Sequence, residues 1–417
     1  LVDTLAIMGA RGGDTAFLTG HTGQWHADTI TRDLLDRANA DETGGLWASL
    51  SGVLPLLAEA APEPFLHAVD VALSRDPSPL LTLFADADPT ATFFATSPHT
   101  GLLWALENVG WSAEFMGLVA QRLATLSRLD PGGKLSNRPF NSLRSMFLIW
   151  DPQTVAPLPF RLAALDTLRK KDPDIAWRIM LATLPKRHDF SIPSHAPRWR
   201  DWKDTRNQRV PFEEYHEAVE AVIECLLTDV AASGKRWSDL IRVLGDVPGD
   251  KVVDRLESMA PEAFSAEDRT AVWSALRSEI SNHRRFADAE WALPADVVDR
   301  LEGVYARLAP RDPVQRVAWL FTQHPHLLDG ERTDGVSQHQ AIQIARMEVV
   351  RKIREQGGLD TLLTLAQTAE QPGEVGLAIG QTATPGSTVE QTALLDLLDA
   401  PDNVGCMVAR GYVVGRF

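Results

Sequence analysis

The sequence predicts an all-α protein, an irregular α-solenoid of antiparallel helical hairpins like those of HEAT or tetratricopeptide arrays. Three observations carry that expectation. Apolar residues recur at helical spacing in segment after segment, no stretch shows the strict alternation of a half-buried strand, and short polar breakers separate the stripes. The clearest stripe is Val297, Val298, Leu301, Val304, Tyr305 and Leu308, which lines one helix face. Phe115, Leu118, Val119, Leu123 and Leu126 form another, as do Tyr215, Ala218, Val219, Val222 and Leu226, and Val272, Trp273, Leu276 and Ile280.

Starts and stops agree with the stripes. Ser265 followed by Glu267 and Asp268 reads as an N-cap with first-turn acids, and Pro294 before Ala295 and Asp296 suits a first helical turn. Between Leu158 and Leu184 two stripes flank Asp172-Pro173-Asp174, the pattern of a helical hairpin. About eighteen helices emerge, most of roughly 11 to 16 residues. No 34-residue tetratricopeptide rhythm is in register, so the stack is irregular.

Three stretches interrupt the pattern. Leu129 to Arg138 reads as a Pro-Gly-Gly turn, with Ser136 or Asn137 capping the helix toward Trp150. Lys186 to Arg209 is longer than a compact domain tolerates without a reason. From Gln371 onward the chain is Gly-rich, and Tyr412 to Val414 suits a short terminal strand or the end of a helix. The expected organisation is a helical-repeat part over 1–185, a basic and aromatic loop over 186–210, and a second helical-repeat part over 211–417, together one continuous solenoid.

The chain of 417 residues has a net charge of −15, with 44% hydrophobic and 23% charged residues. That mixture belongs to a globular chain, and the acidic balance argues against tracking nucleic-acid phosphates or a membrane surface. Two cysteines make no disulfide framework, which points to the cytoplasm. No apolar run reaches the roughly 20 residues of a membrane span. The first residue is Leu1, so a piece of a longer polypeptide is expected.

Catalytic signatures are weak. Gly132-Gly133-Lys134 resembles a phosphate loop, yet Arg128 stands where its first glycine belongs and Leu135 where Ser or Thr binds magnesium. His324 and His326 flank Pro325 without further ligands, and His216 with Glu220 suits a solvated helix face as well as a metal pair. His21 and His26 flank Trp25 in a surface loop. Cys225, within VIECLL, reads as an inert core thiol, and Cys406 has no histidine near it in sequence. No catalytic residue, metal or cofactor is expected.

The strongest functional candidate is the loop Lys186 to Arg209, which carries seven cationic side chains against three aspartates, with Trp199 and Trp202 between them. Trp and Arg are the residues that concentrate binding energy at interfaces. The expected binding residues are Arg198, Trp199, Arg200, Trp202, Lys203 and Arg206, facing a protein partner; nucleic acid is a weaker alternative. The competing reading is structural: the tryptophans pin the loop to the stack and Arg198 and Arg200 bond helix C-termini. Two other functions stay open, a hydrolase gathering His188 or His195 with carboxylates, and an architectural oligomerisation scaffold.

Three passages carry a resemblance: His99 to Thr154, Pro197 to Trp202, and His283 to Phe321. They are similar to the C-terminal helical regions of large bacterial STAND-type NTPases of antiphage defence. That resemblance covers about two thirds of the chain and contains no catalytic motif. It implies a sensor that recognises a phage component and relays the contact to an ATPase and an effector in the other domains of a parent protein. The chain itself has neither the Walker loop nor an effector, which fits a C-terminal fragment.

Overall fold

The computed structural model describes all residues except 14, 16, 18, 19, 88–96, 206–208, 329–336, 384–387 and 400–402, and the side chains of 204, 205 and 388 are likewise not described. Among the described residues the chain forms twenty α-helices joined by short 3₁₀ turns, with no β-strand. The division into two compact units falls at Asp229/Val230 rather than at the long loop.

The first unit contains α1 (Val2–Arg11), α2 (Gly23–Ala40), α3 (Gly45–Leu50), α4 (Leu54–Ala60), α5 (Pro62–Leu73), α6 (His99–Gly110), α7 (Met116–Leu129), α8 (Pro139–Phe147), α9 (Leu158–Lys171), α10 (Pro173–Thr183) and α11 (Phe212–Asp229). Each packs on helices one to three positions away in the chain. The α9–α10 hairpin turns at Asp172, as its breaker predicts. Thr22 caps α2 by accepting from Trp25 N, whereas Arg138 precedes α8 without any side-chain cap. The Ser136 or Asn137 cap is thus not made; Pro139, with no N–H to satisfy, opens the helix instead. Within the 115–126 stripe, Leu118 turns to solvent at 44% exposure while Val119, Leu123 and Leu126 are buried. Cys225 is half-buried, its Sγ 3.2 Å from Arg169 Nη1, and burial raises its pKa. Gly9 lets α1 approach α4: a Cβ there would sit 2.1 Å from Ala60 O.

The second unit contains α12 (Gly234–Ile241), α13 (Lys251–Ser258), α14 (Ala266–Arg285), α15 (Ala295–Leu308), α16 (Pro313–Val317), α17 (Gln338–Thr368), α18 (Pro372–Gln381), α19 (Thr388–Asp396) and α20 (Asn403–Arg416). Ser265 caps α14 by accepting from Asp268 N at 3.0 Å. Val297, Val298, Leu301, Val304 and Leu308 of α15 are buried. A left-handed Gly358 (φ 66°) breaks α17 in two, a conformation only glycine adopts freely. Tyr412 to Val414 lies within α20, not in a strand, because glycines let α20 lie directly on α18. A Cβ at Gly376 would be 2.0 Å from Val408 O, and one at Gly411 2.0 Å from Gly373 O.

One buried pair in this unit sets a pH dependence. Glu279 and His283 lie a turn apart on α14, Oε2 to Nε2 3.6 Å, and Arg242 also acts on the carboxylate. His283 Nδ1 accepts from Leu293 N at 3.1 Å, so its ring proton sits on Nε2, and burial depresses its pKa. Burial pushes Glu279 up to about 7 from 4.5.

Two outcomes are expected. Because neighbouring hairpins cover one another's apolar faces, cleavage after Asp151 should yield fragments that aggregate, while cleavage at Asp229/Val230 should leave two pieces, each with a cooperative melt. Two cooperative fragments from the Asp151 cut, or none from the other, would contradict this. The folded state also holds the Glu279 proton more tightly than the unfolded chain. Its contribution is therefore complete below about pH 4.5 and falls as pH rises through about 7, by up to about 3 kcal/mol. The wholly or partly buried histidines, His283 among them, have depressed pKa values and act in the opposite sense over this range. The check is therefore a difference: in urea melts Glu279→Gln should gain stability relative to the parent between pH 5 and pH 8, and an unchanged difference would contradict it.

Candidate functional site

The long loop crosses the first unit as an extended strap, and two buried carboxylates hold it. Glu59, fully buried near the end of α4, accepts three successive backbone N–H groups: Arg198 N at 3.1 Å, Trp199 N, and Arg200 N at 2.6 Å. Unpaired, a buried carboxylate is costly, and three aligned donors offset that cost. Glu107 on α6 takes one further strap N–H, three residues before Arg198. Its Oε2 accepts His195 N at 2.7 Å and its Oε1 accepts Ser142 Oγ at 2.6 Å, while burial raises its pKa.

Side chains extend the grip. Trp111 Nε1 donates to His195 O at 2.9 Å, and the His195 ring stacks on Trp104 with centroids 5.2 Å apart. His195 Nδ1 lies 2.7 Å from Asn108 Oδ1, whose amide nitrogen donates to Pro55 O, so the ring carries its proton on Nδ1. Burial lowers the His195 pKa, keeping it neutral at pH 7. Upstream, Arg144 Nη2 donates to both carboxylate oxygens of Asp189, at 2.6 and 2.5 Å.

Of the six expected binding residues, the five that are described do not share one open surface. Arg200 turns inward: Nε donates to Glu59 O at 2.7 Å, and Nη2 reaches Gln24 Oε1 at 3.0 Å and the carbonyls of Gly9 and Ala60 at 3.3 Å. These are the C-terminal carbonyls of α1 and α4, left without partners inside their helices. Trp199 is half-buried under the Arg198 guanidinium, and its buried indole N–H has no hydrogen-bond partner among the described residues. Trp202 packs edge-on against Phe115 and beneath Arg200. Arg198 and Lys203 are exposed, the first 3.2 Å from Asp3 and the second over the Trp111 ring. Arg206 lies outside the described residues. What the strap does present is Phe190 and Ile192, 69% and 66% exposed, one residue apart in the chain. Sequence reasoning passed over them because it weighted charge and tryptophan; the legible signal was two large apolar residues at i, i+2 within an otherwise polar loop.

Among the described residues, His195 is engaged in holding the strap. The carboxylate of Glu107 binds the His195 backbone, and its ring is committed to Asn108 and Trp104. Elsewhere in this unit Ser97 Oγ lies 2.6 Å from His99 Nδ1 and 3.3 Å from Asp86 Oδ1, a nucleophile-base-acid set by composition. All three are at most 4% exposed, His99 Nε2 is held by Asn137 O, and Asp86 accepts Leu135 N and Arg138. They tie the 83–86 turn to the 130–138 turn. Among the described residues no group of three or more His, Cys, Asp or Glu is placed to hold a metal ion, and no helix is long and apolar enough to cross a membrane. No family model matches the chain, and neither the curated proteins nor the solved structures contain a match.

Replacing Glu59 by Ala strands three backbone N–H groups and Arg200 in the interior, and should cost about 3 to 5 kcal/mol. Denaturant melts measure that loss, and limited proteolysis should locate new cleavage within 186–205. A variant as stable and protease-resistant as the parent would remove the strap's anchor from the account.

Proposed function

We propose that the chain is a non-enzymatic, protein-binding α-solenoid module whose strap is its recognition element. The carrying observation is that the strap's backbone is fixed by Glu59 and Glu107 while Phe190 and Ile192 stand in solvent. A rigid backbone lowers the ordering entropy of association, and apolar side chains held out on it bury area on contact. The solenoid reading draws on helices that pack on near neighbours in the chain. The resemblance to STAND-type sensors supplies the setting, recognition of a phage component within a larger cytoplasmic defence protein.

Phe190→Ala with Ile192→Ala should weaken partner capture by on the order of 2 kcal/mol, about thirtyfold, with little change in stability. The measurement compares proteins retained by parent and variant from infected and uninfected bacterial lysates, beside a denaturant melt of each. Identical capture by the two proteins would remove the strap from the binding site. Retention from infected and uninfected cells alike would count against a phage ligand while leaving protein binding in place.

A further inference from the structure

The outward end of the strap carries charge beside its apolar surface. Lys186 and Arg187 follow α10 and are exposed, and the chain then turns, Asp189 N donating to Lys186 O at 3.3 Å. Phe190, Ile192 and Pro193 are exposed directly after that turn. The turn is fixed from both sides: Arg144 holds the Asp189 carboxylate, whose Oδ1 accepts Phe190 N at 2.9 Å. The spacing between the cations and the apolar side chains is therefore set before any contact is made.

The acids nearby do not cancel this charge. Asp189 is matched by Arg144, and Lys186 pairs with no carboxylate among the described residues. Asp151 is partly buried and accepts from Ser191 Oγ and Gln153 Nε2. A third cation lies alongside. Phe140 and Arg144, a turn apart on α8, meet Arg178 and Ala182, a turn apart on α10, so Arg178 stands beside the residue that holds Asp189. It is exposed, its guanidinium 4.3 Å from the centre of the Phe140 ring, and the one acid of α10, Asp174, lies a turn farther from the strap. Lys186, Arg187 and Arg178 thus face outward against Asp151 alone, in a chain whose net charge is −15. A local potential opposite to that of the whole molecule selects partners of negative sign at this place. Nucleic acid fits poorly, because Ile192 and Pro193 offer no ring for a base to stack on. An anionic bilayer fits poorly as well, since roughly four to eight clustered cations are needed to hold a chain there.

We infer that the partner of the strap is an acidic stretch of polypeptide in which Asp or Glu flank large apolar residues, an inference that rests on the strap being the recognition element. The carboxylates meet Lys186 and Arg187, with Arg178 beyond them, and the apolar side chains cover Phe190 and Ile192. Selection of a random peptide library on the full chain tests it. Peptides kept by the parent and lost by Phe190→Ala with Ile192→Ala should be enriched in Asp and Glu over the starting library. One such peptide, followed by fluorescence anisotropy, should bind at least about tenfold more weakly to Lys186→Glu with Arg187→Glu. The same peptide with its acids replaced by lysine should prefer that charge-reversed protein to the parent, which also shows the variant to be folded. Strap-dependent peptides without acidic enrichment, or equal affinity for parent and charge-reversed protein, would overturn the acidic partner and leave the strap as a recognition element. No peptide that depends on Phe190 and Ile192 would remove the strap's role and the inference with it. Retention on phosphatidylserine vesicles or single-stranded RNA that the charge reversal abolishes, with no acidic peptide selected, would assign the cations to a membrane or to nucleic acid instead.

Discussion

Three consecutive backbone N–H groups on one buried carboxylate are the contact on which the first unit's surface depends. Glu59 is separated from Arg198, Trp199 and Arg200 by about 140 residues, and the bonds between them bring the chain after α10 back onto α4. An extended segment has no internal hydrogen-bond partners, so its donors must be met by something outside it. A carboxylate can accept several at once, and being charged it holds each more tightly than a neutral amide would. Arg200 completes the arrangement by occupying carbonyls at the ends of α1 and α4. The local charge is thereby balanced, and the polar groups of three elements are satisfied in one place.

The same device recurs through both units with arginine in the leading role. Arg122 donates to Leu66 O and pairs with Asp70; Arg144 donates to Ala182 O and pairs with Asp189. In the second unit Arg346 donates to Leu320 O and pairs with Glu374, while Arg354 donates to Thr382 O and pairs with Glu390. Each guanidinium reaches from its own helix to a carbonyl and a carboxylate elsewhere in the chain, which its fixed fork of five donors suits better than a lysine ammonium would. Helices commonly end on a left-handed glycine that caps their last carbonyls. Here many ends are closed from outside, by a residue on a neighbouring element. These bridges fix a helix against a neighbouring element without such a glycine.

The helices were legible because their signal is local. A stripe such as 297–308 or 272–280 needs only the periodicity of the α-helix, and both are buried as that periodicity implies. The Ser265 cap and the Asp172 turn were legible for the same reason. What escaped depends on residues far apart in sequence. The boundary at Asp229/Val230 carries no compositional mark, whereas the loop at 186–209 carries a loud one and falls inside the sequence range of the first unit. Gly376 and Gly411 belong to the Gly-rich stretch that reads as an interruption of the helical pattern, but at each a backbone passes within contact distance, which only glycine admits. The strap itself was found by its charge and tryptophans, and that weighting misjudged which side chains face outward. Arg200 belongs to the interior for the very property that suggested an interface, its capacity to make several directed hydrogen bonds at once.

That inversion bears on how such a strap can act. A segment that used Arg200 and Trp202 to meet a partner would have to withdraw them from Gly9, Gln24, Ala60 and Phe115, and recognition would be opposed by the loss of those bonds. Phe190 and Ile192 owe nothing to the interior. Their exposure is a standing unfavourable contact with water, removed on burial at about 25 cal/mol per Å². Asp189, held by Arg144, precedes Phe190, and Ser191, bonded to Asp151, stands between Phe190 and Ile192, so the backbone there is already held when contact occurs. The division of labour within one segment follows from this: buried polar atoms set where the backbone lies, and the apolar side chains left over on its outer face are free to be covered.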